Sequence, residues 1–338
     1  MQSNNPPTKS GGADRFDVHQ AVTDKIVAAI EAGAGDWQMP WHRAKGASAF
    51  PINVKTGNAY RGINTVVLWC TALDRGYETP VWGTFKQWLD RGTPVRKGEK
   101  ATPGVFYKDL DITERDDATG ETTEKTIGMA KAFWLFNAAQ VEGYAPPATP
   151  EDRPSLVDAI AHADAAISAT GAVIQHDGGH MAFYRPSTDS IHLPEPSRFV
   201  DTAAHSATEG YYATKLHELI HWTGAKSRLD RDLSGRFKSD TYAMEELVAE
   251  IGAAFLCAEL AIAPEVRPDH AQYVAGWLKV LKDDKRAIFT AAAMAQKASS
   301  FVMGFSAPRP TRPDVTDPGA GPTSAPPSPS DDQSGGPS

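Results

Sequence analysis

The stretch KLHELIHWTGAKSRLD, Lys215 to Asp230, places two histidines four residues apart, with a glutamate directly after the first. On an α-helix positions i and i+4 share one face, with Cβ atoms roughly 5 to 6 Å apart, so His217 and His221 can hold one ion between them. Glu218 precedes His221 by three residues and reaches the same side, where a metal with an open coordination position keeps a water. Leu216, Leu219 and Ile220 make an apolar stripe beside the histidines, and Gly224 reads as a left-handed stop. The segment therefore predicts a helix whose histidines flank a buried seam. Two hydrogen-bonded core histidines beside an exposed glutamate would fit the same letters.

A catalytic zinc site takes three protein ligands, and the third is expected on a second helix downstream. YAMEELVAEIGAAFLCAEL, Tyr242 to Leu260, repeats Leu247, Ile251, Ala254, Phe255 and Ala258 at helical spacing, with Glu246 and Glu250 at i and i+4 beside that stripe. A buried carboxylate left unpaired costs several kcal/mol, whereas a metal, or a histidine bound to it, satisfies the charge. We assign Glu246 as third ligand and Glu250 as acceptor for a histidine N–H, with Glu245 as the alternative ligand. An exposed acidic helix edge is the plain alternative for all three.

HELIHWTG followed by YAMEELVAEIGAAFL resembles the metallopeptidase domain of the ArdC-like antirestriction proteins of plasmids and phages. The first half resembles that family through GDWQMPWH (Gly35 to His42), TGNAYRGIN (Thr56 to Asn64), WGTFKQW (Trp82 to Trp88), VRKGEK (Val95 to Lys100) and FNAAQVEG (Phe136 to Gly143). The matches run in order from about residue 15 to 305. The resemblance implies an N-terminal single-stranded DNA-binding domain joined to a zincin-like metallopeptidase domain, and antirestriction as the function.

A chain of 338 residues with 41% hydrophobic content has room for two domains. The Pro and Gly distribution divides it into an ordered α+β part at 14–146, a second at 147–305 and a disordered Pro/Ser/Gly-rich tail at 306–338, with YAPPATPEDRP as the linker. The resemblance implies that the first is the single-stranded DNA-binding domain and the second the zincin-like domain. Helices are expected in DVHQAVTDKIVAAIEAG, GINTVVLWCTALDRG, TFKQWLDRG and SLVDAIAHADAAISATG. VFYKDL and AFWLFN read as strands joined by a polar turn around Asp116 to Gly120, and MAFYRPSTDSIHLP as two short strands before the metal helix. Cys70 and Cys257 are far apart and outside any C-x-x-C pattern, which predicts buried reduced thiols rather than a disulfide or thiolate site. With no signal-peptide run and no stretch of about 18 apolar residues, a cytoplasmic bacterial protein is expected, with no membrane partner. The family resemblance would let it travel with transferred DNA.

The net charge of −8 opposes nucleic-acid binding, yet from Trp41 to Lys108 eleven Lys/Arg face four Asp/Glu. The cations interleave with Trp41, Tyr60, Trp82, Phe85, Trp88, Phe106 and Tyr107. Cations that track phosphates, with rings that stack on unpaired bases at about 1 to 3 kcal/mol each, are what sequence-tolerant single-strand binding requires. Core tryptophans and solvated lysines are the alternative. Arg61 in AYRGIN, and Arg96, Lys97 and Lys100 in VRKGEK, are the expected phosphate contacts, because glycine-flanked loops allow close backbone approach. Trp41, Tyr60, Trp82 and Lys86 complete the expected surface. His176, His180 and His192 lack ligand spacing, and no motif selects among Tyr211, Tyr212 and Tyr242 as an oxyanion stabiliser.

The expected chemistry is a zinc ion held by His217, His221 and Glu246, with Glu218 taking a proton from water that attacks a peptide carbonyl. Another divalent transition metal would also suit the ligands. Expected partners are single-stranded DNA and a protein substrate such as a restriction enzyme. A DNA-protecting protein with a structural metal domain, or a general metallopeptidase with a protein-binding first half, are the alternatives.

Overall fold

Apolar residues at helical spacing set the scaffold. Val18, Val22, Ile26 and Ile30 lie on one stripe of the first helix, α1 (Val18–Gly33), and all four are buried. The computed structural model describes residues 16–33, 50–115, 122–145, 155–202, 205–236, 239–263 and 271–306, with backbone alone at 108–115, 123–128 and 271–272. After α1 come β1 (Ile52–Asn53), α2 (Ile63–Asp74), β2 (Val81–Thr84), α3 (Phe85–Asp90), β3 (Thr102–Arg115) and β4 (Thr122–Asn137). The sheet order is β1-β2-β4-β3, with the long β3 and β4 antiparallel in a register that sets Val105 opposite Ala132. The expected turn at Asp116 to Gly120, the 1–13 segment, the 306–338 tail beyond Ser306 and Trp41 lie outside the described residues.

The second half begins with α4 (Leu156–Ala169), followed by a three-stranded sheet of β5 (Val173–Gln175), β6 (Phe183–Arg185) and β7 (Ser190–His192). Its order is β5-β7-β6, so β6 is an edge strand. Among the described residues four α-helices complete this half: α5 (Ala207–Thr223), α6 (Asp240–Leu260), α7 (Ala271–Asp283) and α8 (Ala287–Met303). Among the described residues no helix is long and apolar enough to cross a membrane.

The two halves share a core. Val22, Ile26 and Trp69 from the first belong to the same buried cluster as Leu247, Phe255, Ile288 and Ala292 from the second. Polar ties reinforce it: the Thr23 hydroxyl donates to the Lys285 carbonyl at 2.8 Å, and Lys282 pairs with Glu31 at 2.7 Å. Packing thus unites the described residues of both halves in one unit across the Pro-rich segment. Both cysteines are free and buried, and burial pushes the Cys70 thiol up to about 12, far from a reactive thiolate.

Candidate metal centre and nucleic-acid surface

α5 opens with a capping box, in which Ser206 accepts from the Glu209 N–H and the Glu209 carboxylate accepts from the Ser206 N–H at 2.9 Å. α6 opens on Ser239, whose hydroxyl accepts from the Tyr242 N–H. These caps fix the phase of both helices. Their close approach depends on Gly252 of α6, where an added Cβ would sit 3.0 Å from three carbons of Ile220 on α5. That contact brings the glutamates of α6 opposite the histidines of α5.

The two imidazoles are held alike. His217 Nδ1 lies 3.2 Å from Glu250 Oε1, and His221 Nδ1 lies 3.0 Å from Glu245 Oε1. A neutral imidazole that donates from Nδ1 presents its lone pair at Nε2, and a carboxylate behind it raises its basicity. The two Nε2 atoms are 3.2 Å apart, and each is 3.7 Å from an oxygen of Glu246. His217, His221 and Glu246 are the described residues whose ligand atoms gather closely enough, within 4.8 Å of one another, to hold a metal ion. Two imidazoles and one carboxylate are a donor set that fits a divalent transition metal.

Glu245 corrects one expectation. It is no alternative ligand: both its oxygens face Arg231, at 2.9 Å from Nε and 2.8 Å from Nη2, while it also holds His221. Arg231 in turn donates to Thr223 Oγ1 and to the Ile220 carbonyl. This arrangement also explains Gly224, whose φ of −75° is ordinary helical backbone rather than the expected left-handed stop. A Cβ there would meet Arg231 Nη2 at 2.9 Å, so the glycine makes room for the guanidinium.

The charges are set by their partners. Burial pushes Glu246 up, but the His217 hydrogen bond and the nearby imidazoles outweigh it and hold its pKa at about 2. Burial pushes His221 down, yet the Glu245 and Glu246 carboxylates prevail and raise it above its ordinary 6.5. Glu218, 3% exposed, lines the same cavity of about 230 Å³ as His217, His221 and Glu246. Tyr242 and Tyr273 line it too, their hydroxyls 3.3 Å apart. Burial, then the nearby Glu246 carboxylate, push the Tyr242 phenol far above its usual value, so it stays a donor.

Of the three tyrosines that the sequence leaves open, Tyr242 alone reaches this cavity. Tyr212 donates to Asp164, and Tyr211 bonds His176 at 2.9 Å. Tyr273 escapes sequence reading because it comes from α7, thirty-one residues further on. His192 is buried with Asp177 and Ser190 on its two nitrogens, away from the metal cluster.

The basic segment fares unevenly. Arg61, Lys86, Lys97 and Lys100 are exposed. Arg96 is exposed as well, but its guanidinium donates to Glu99 at 2.7 Å and to the carbonyls of Ala139 and Val141, so it clasps two loops. Trp82 corrects a second expectation: at 1% exposure it packs with Leu68, Ala72 and Leu135, because β2 is an inner strand covered by α2, and it presents no face to a base. Trp88 is likewise enclosed. Tyr60 is half-buried, its hydroxyl accepting from Asn53 at 2.9 Å. Among the described residues, the exposed rings of this half are Phe85, Phe106, Tyr107 and Trp134, together with Phe16 against Trp134.

Comparison with known proteins follows this division of the chain. The N-terminal domain of anti-restriction factor ArdC matches residues 16–136, and a zincin-like metallopeptidase domain matches 161–294. An uncharacterised protein, y4eC, of Sinorhizobium fredii is 45% identical over 291 residues, covering 85% of this chain and 91% of that protein. A DNA primase, TraC, of Escherichia coli is 40% identical over 300 residues, and there the chain spans only 27% of the relative. The metal-free crystal structure of the antirestriction ArdC protein from the R388 plasmid is 41% identical, with a TM-score of 0.67 over 86% of this chain and 98% of that one. Its Mn(II)-bound structure matches with a TM-score of 0.65 at 39% identity, covering 87% and 99%. Two domain models in series, and a crystallised relative matched almost end to end, make the chain a member of the ArdC-like antirestriction family, with a zincin-like domain around His217, His221 and Glu246.

Proposed function

We propose that this chain protects incoming DNA from host restriction by binding it unpaired through the first half, and that its second half is a divalent-metal-dependent peptidase. The observation that carries the hydrolytic reading is the pair of carboxylate-backed imidazoles converging with Glu246 beside Glu218 in one cavity. His217, His221 and Glu246 would hold the ion, and zinc is our first choice for this donor set, with manganese the ion bound by the R388 relative. When bound, such an ion supplies Lewis acidity that eases deprotonation of water and polarises a carbonyl. Glu218 takes the proton from the attacking water and delivers it to the leaving amine. Tyr242, held as a neutral phenol, donates to the carbonyl oxygen as negative charge develops there. A purely structural metal would give Glu218 no task in that cavity.

For DNA, the support is the run of exposed cations at Lys86, Lys97 and Lys100, the accessible rings at Phe85, Phe106 and Tyr107, and the recurrence of this sequence within a DNA primase. A restriction-protection assay separates the halves. Protection lost in Lys86/Lys97/Lys100→Ala but kept in Glu218→Gln means covering of DNA; the reverse means proteolysis of the restriction machinery. Protection intact in both variants refutes the reading.

A further inference from the structure

A second cavity, of about 320 Å³, opens where the AYRGIN turn meets α6 and α8. Its size is near the lower end of the roughly 300 to 1,000 Å³ usual for small-ligand sites. Three features give it the character of a built site. Tyr60 is fixed at both ends, its hydroxyl by Asn53 and its carbonyl by the Thr65 hydroxyl at 2.6 Å. Gly62, in the left-handed region at φ 55°, donates its N–H to Gln296 Oε1 of α8 at 3.0 Å and so ties the turn across to the second half. Gln296, Ser299, Ser300 and Met303 follow at helical spacing along one stripe of α8 and wall the opposite side, with Phe255 between.

Charge gives the cavity a direction. Arg61 stands at it, exposed, and its guanidinium makes no hydrogen bond or ion pair among the described residues. Glu259 also lines it, and the two form no ion pair. An untethered guanidinium suits a phosphate, which it can grip with two parallel N–H bonds. A carboxylate repels phosphate but accepts from the exocyclic amine of a base. Between them lie aromatic and thioether surfaces, suited to the flat face of a heterocycle.

We infer that this cavity receives one unpaired nucleotide of a bound strand, with its phosphate on Arg61, its base against the half-buried Tyr60 and Met303, and its amino edge toward Glu259 and Ser300. The inference rests on the proposed binding of unpaired DNA and adds the point at which the strand engages both halves. Thymine has no exocyclic amine, so this one position favours cytosine over thymine on an otherwise sequence-tolerant surface.

The test uses the full chain, fluorescent oligo-dC and oligo-dT, and the free mononucleotides dCMP and dTMP. Ser300 is an exposed position on α8, and Ser300→Trp fills the cavity without entering the core. It is expected to weaken oligo-dC binding about tenfold, the scale of one lost stacked base, while metal content is unchanged. Arg61→Ala should weaken both oligonucleotides equally, and Glu259→Gln should erase the preference for dC over dT. Oligonucleotide affinities in Ser300→Trp equal to wild type would overturn the inference, whatever Arg61→Ala does. If the wild type binds no oligonucleotide, the wider DNA reading fails by itself; saturable binding of dCMP, lost in Ser300→Trp, would then still uphold the cavity, and its absence would remove it.

Discussion

The metal centre and the basic segment began with equally suggestive sequences and ended differently. In α5 and α6 the functional residues sit on regular helices, where spacing alone fixes direction, so His217, His221, Glu246 and Glu250 meet as their positions imply. Between residues 50 and 108 the candidate cations and rings sit on turns, a short helix and strands, where direction depends on which partner strand or helix covers each residue. There Trp82 turns inward and Arg96 is consumed by carbonyls, while Lys97 and Lys100 remain exposed. Helical spacing is a local property; exposure is a property of the whole packing.

The sharpest way to break this contrast is at Glu218. Replacing it by Gln should leave metal content unchanged and reduce any peptide hydrolysis by about 10²- to 10⁴-fold, the usual contribution of a general base. Undiminished hydrolysis, measured on a denatured protein substrate, would remove Glu218 from the chemistry. At the other region, Trp82→Ala should cost about 3 to 5 kcal/mol of stability as a core truncation. A melting temperature equal to that of wild type, combined with a specific loss of DNA affinity, would restore Trp82 as a stacking residue.

Arg231→Met tests how the metal centre is supported. It frees Glu245, which orients His221, and should weaken metal affinity about 10- to 100-fold by titration calorimetry. An unchanged affinity would mean that Glu245 keeps its place without the guanidinium. Acid should act in the same direction. The carboxylates raise the pKa of His221 above 6.5, and a metal needs the neutral imidazole, so protons compete from a higher pH than for an ordinary histidine. Apparent metal affinity should therefore rise with pH through that value and fall by about tenfold per unit below it, or more steeply if His217 titrates as well. A flat profile between pH 6 and 8, roughly the range in which histidines titrate, would contradict this.

The smallest expected effect belongs to the exposed lysines. Lys97→Ala with Lys100→Ala should flatten the salt dependence of single-strand binding by about 1.4 units, at about 0.7 per lost phosphate contact. Arg96 is left out because its substitution would unclasp Ala139 and Val141 and confound affinity with folding.

Legibility followed the same physics. α5 and α6 could be read because apolar stripes and acidic pairs recur every three or four residues, and the β3/β4 pair because strand-forming runs flank a polar turn. Glu245 could not, since its role is decided by Arg231 from the loop before α6. Gly224 looked like a chain reversal and proved to be space for that same arginine. The Ser206–Glu209 capping box was available as S-x-x-E and locates the start of α5. The shared core of the two halves left no local mark, because Pro-rich composition signals a break in secondary structure and says nothing about whether helices on either side pack together.

Metal stoichiometry tests the centre most directly. Elemental analysis after equilibration with Zn(II) or Mn(II) should find about one ion per wild-type chain and none held stoichiometrically in His217→Ala or His221→Ala, with Glu218→Gln still loaded. Full occupancy in both histidine variants would contradict the assignment of His217, His221 and Glu246 as the ligands.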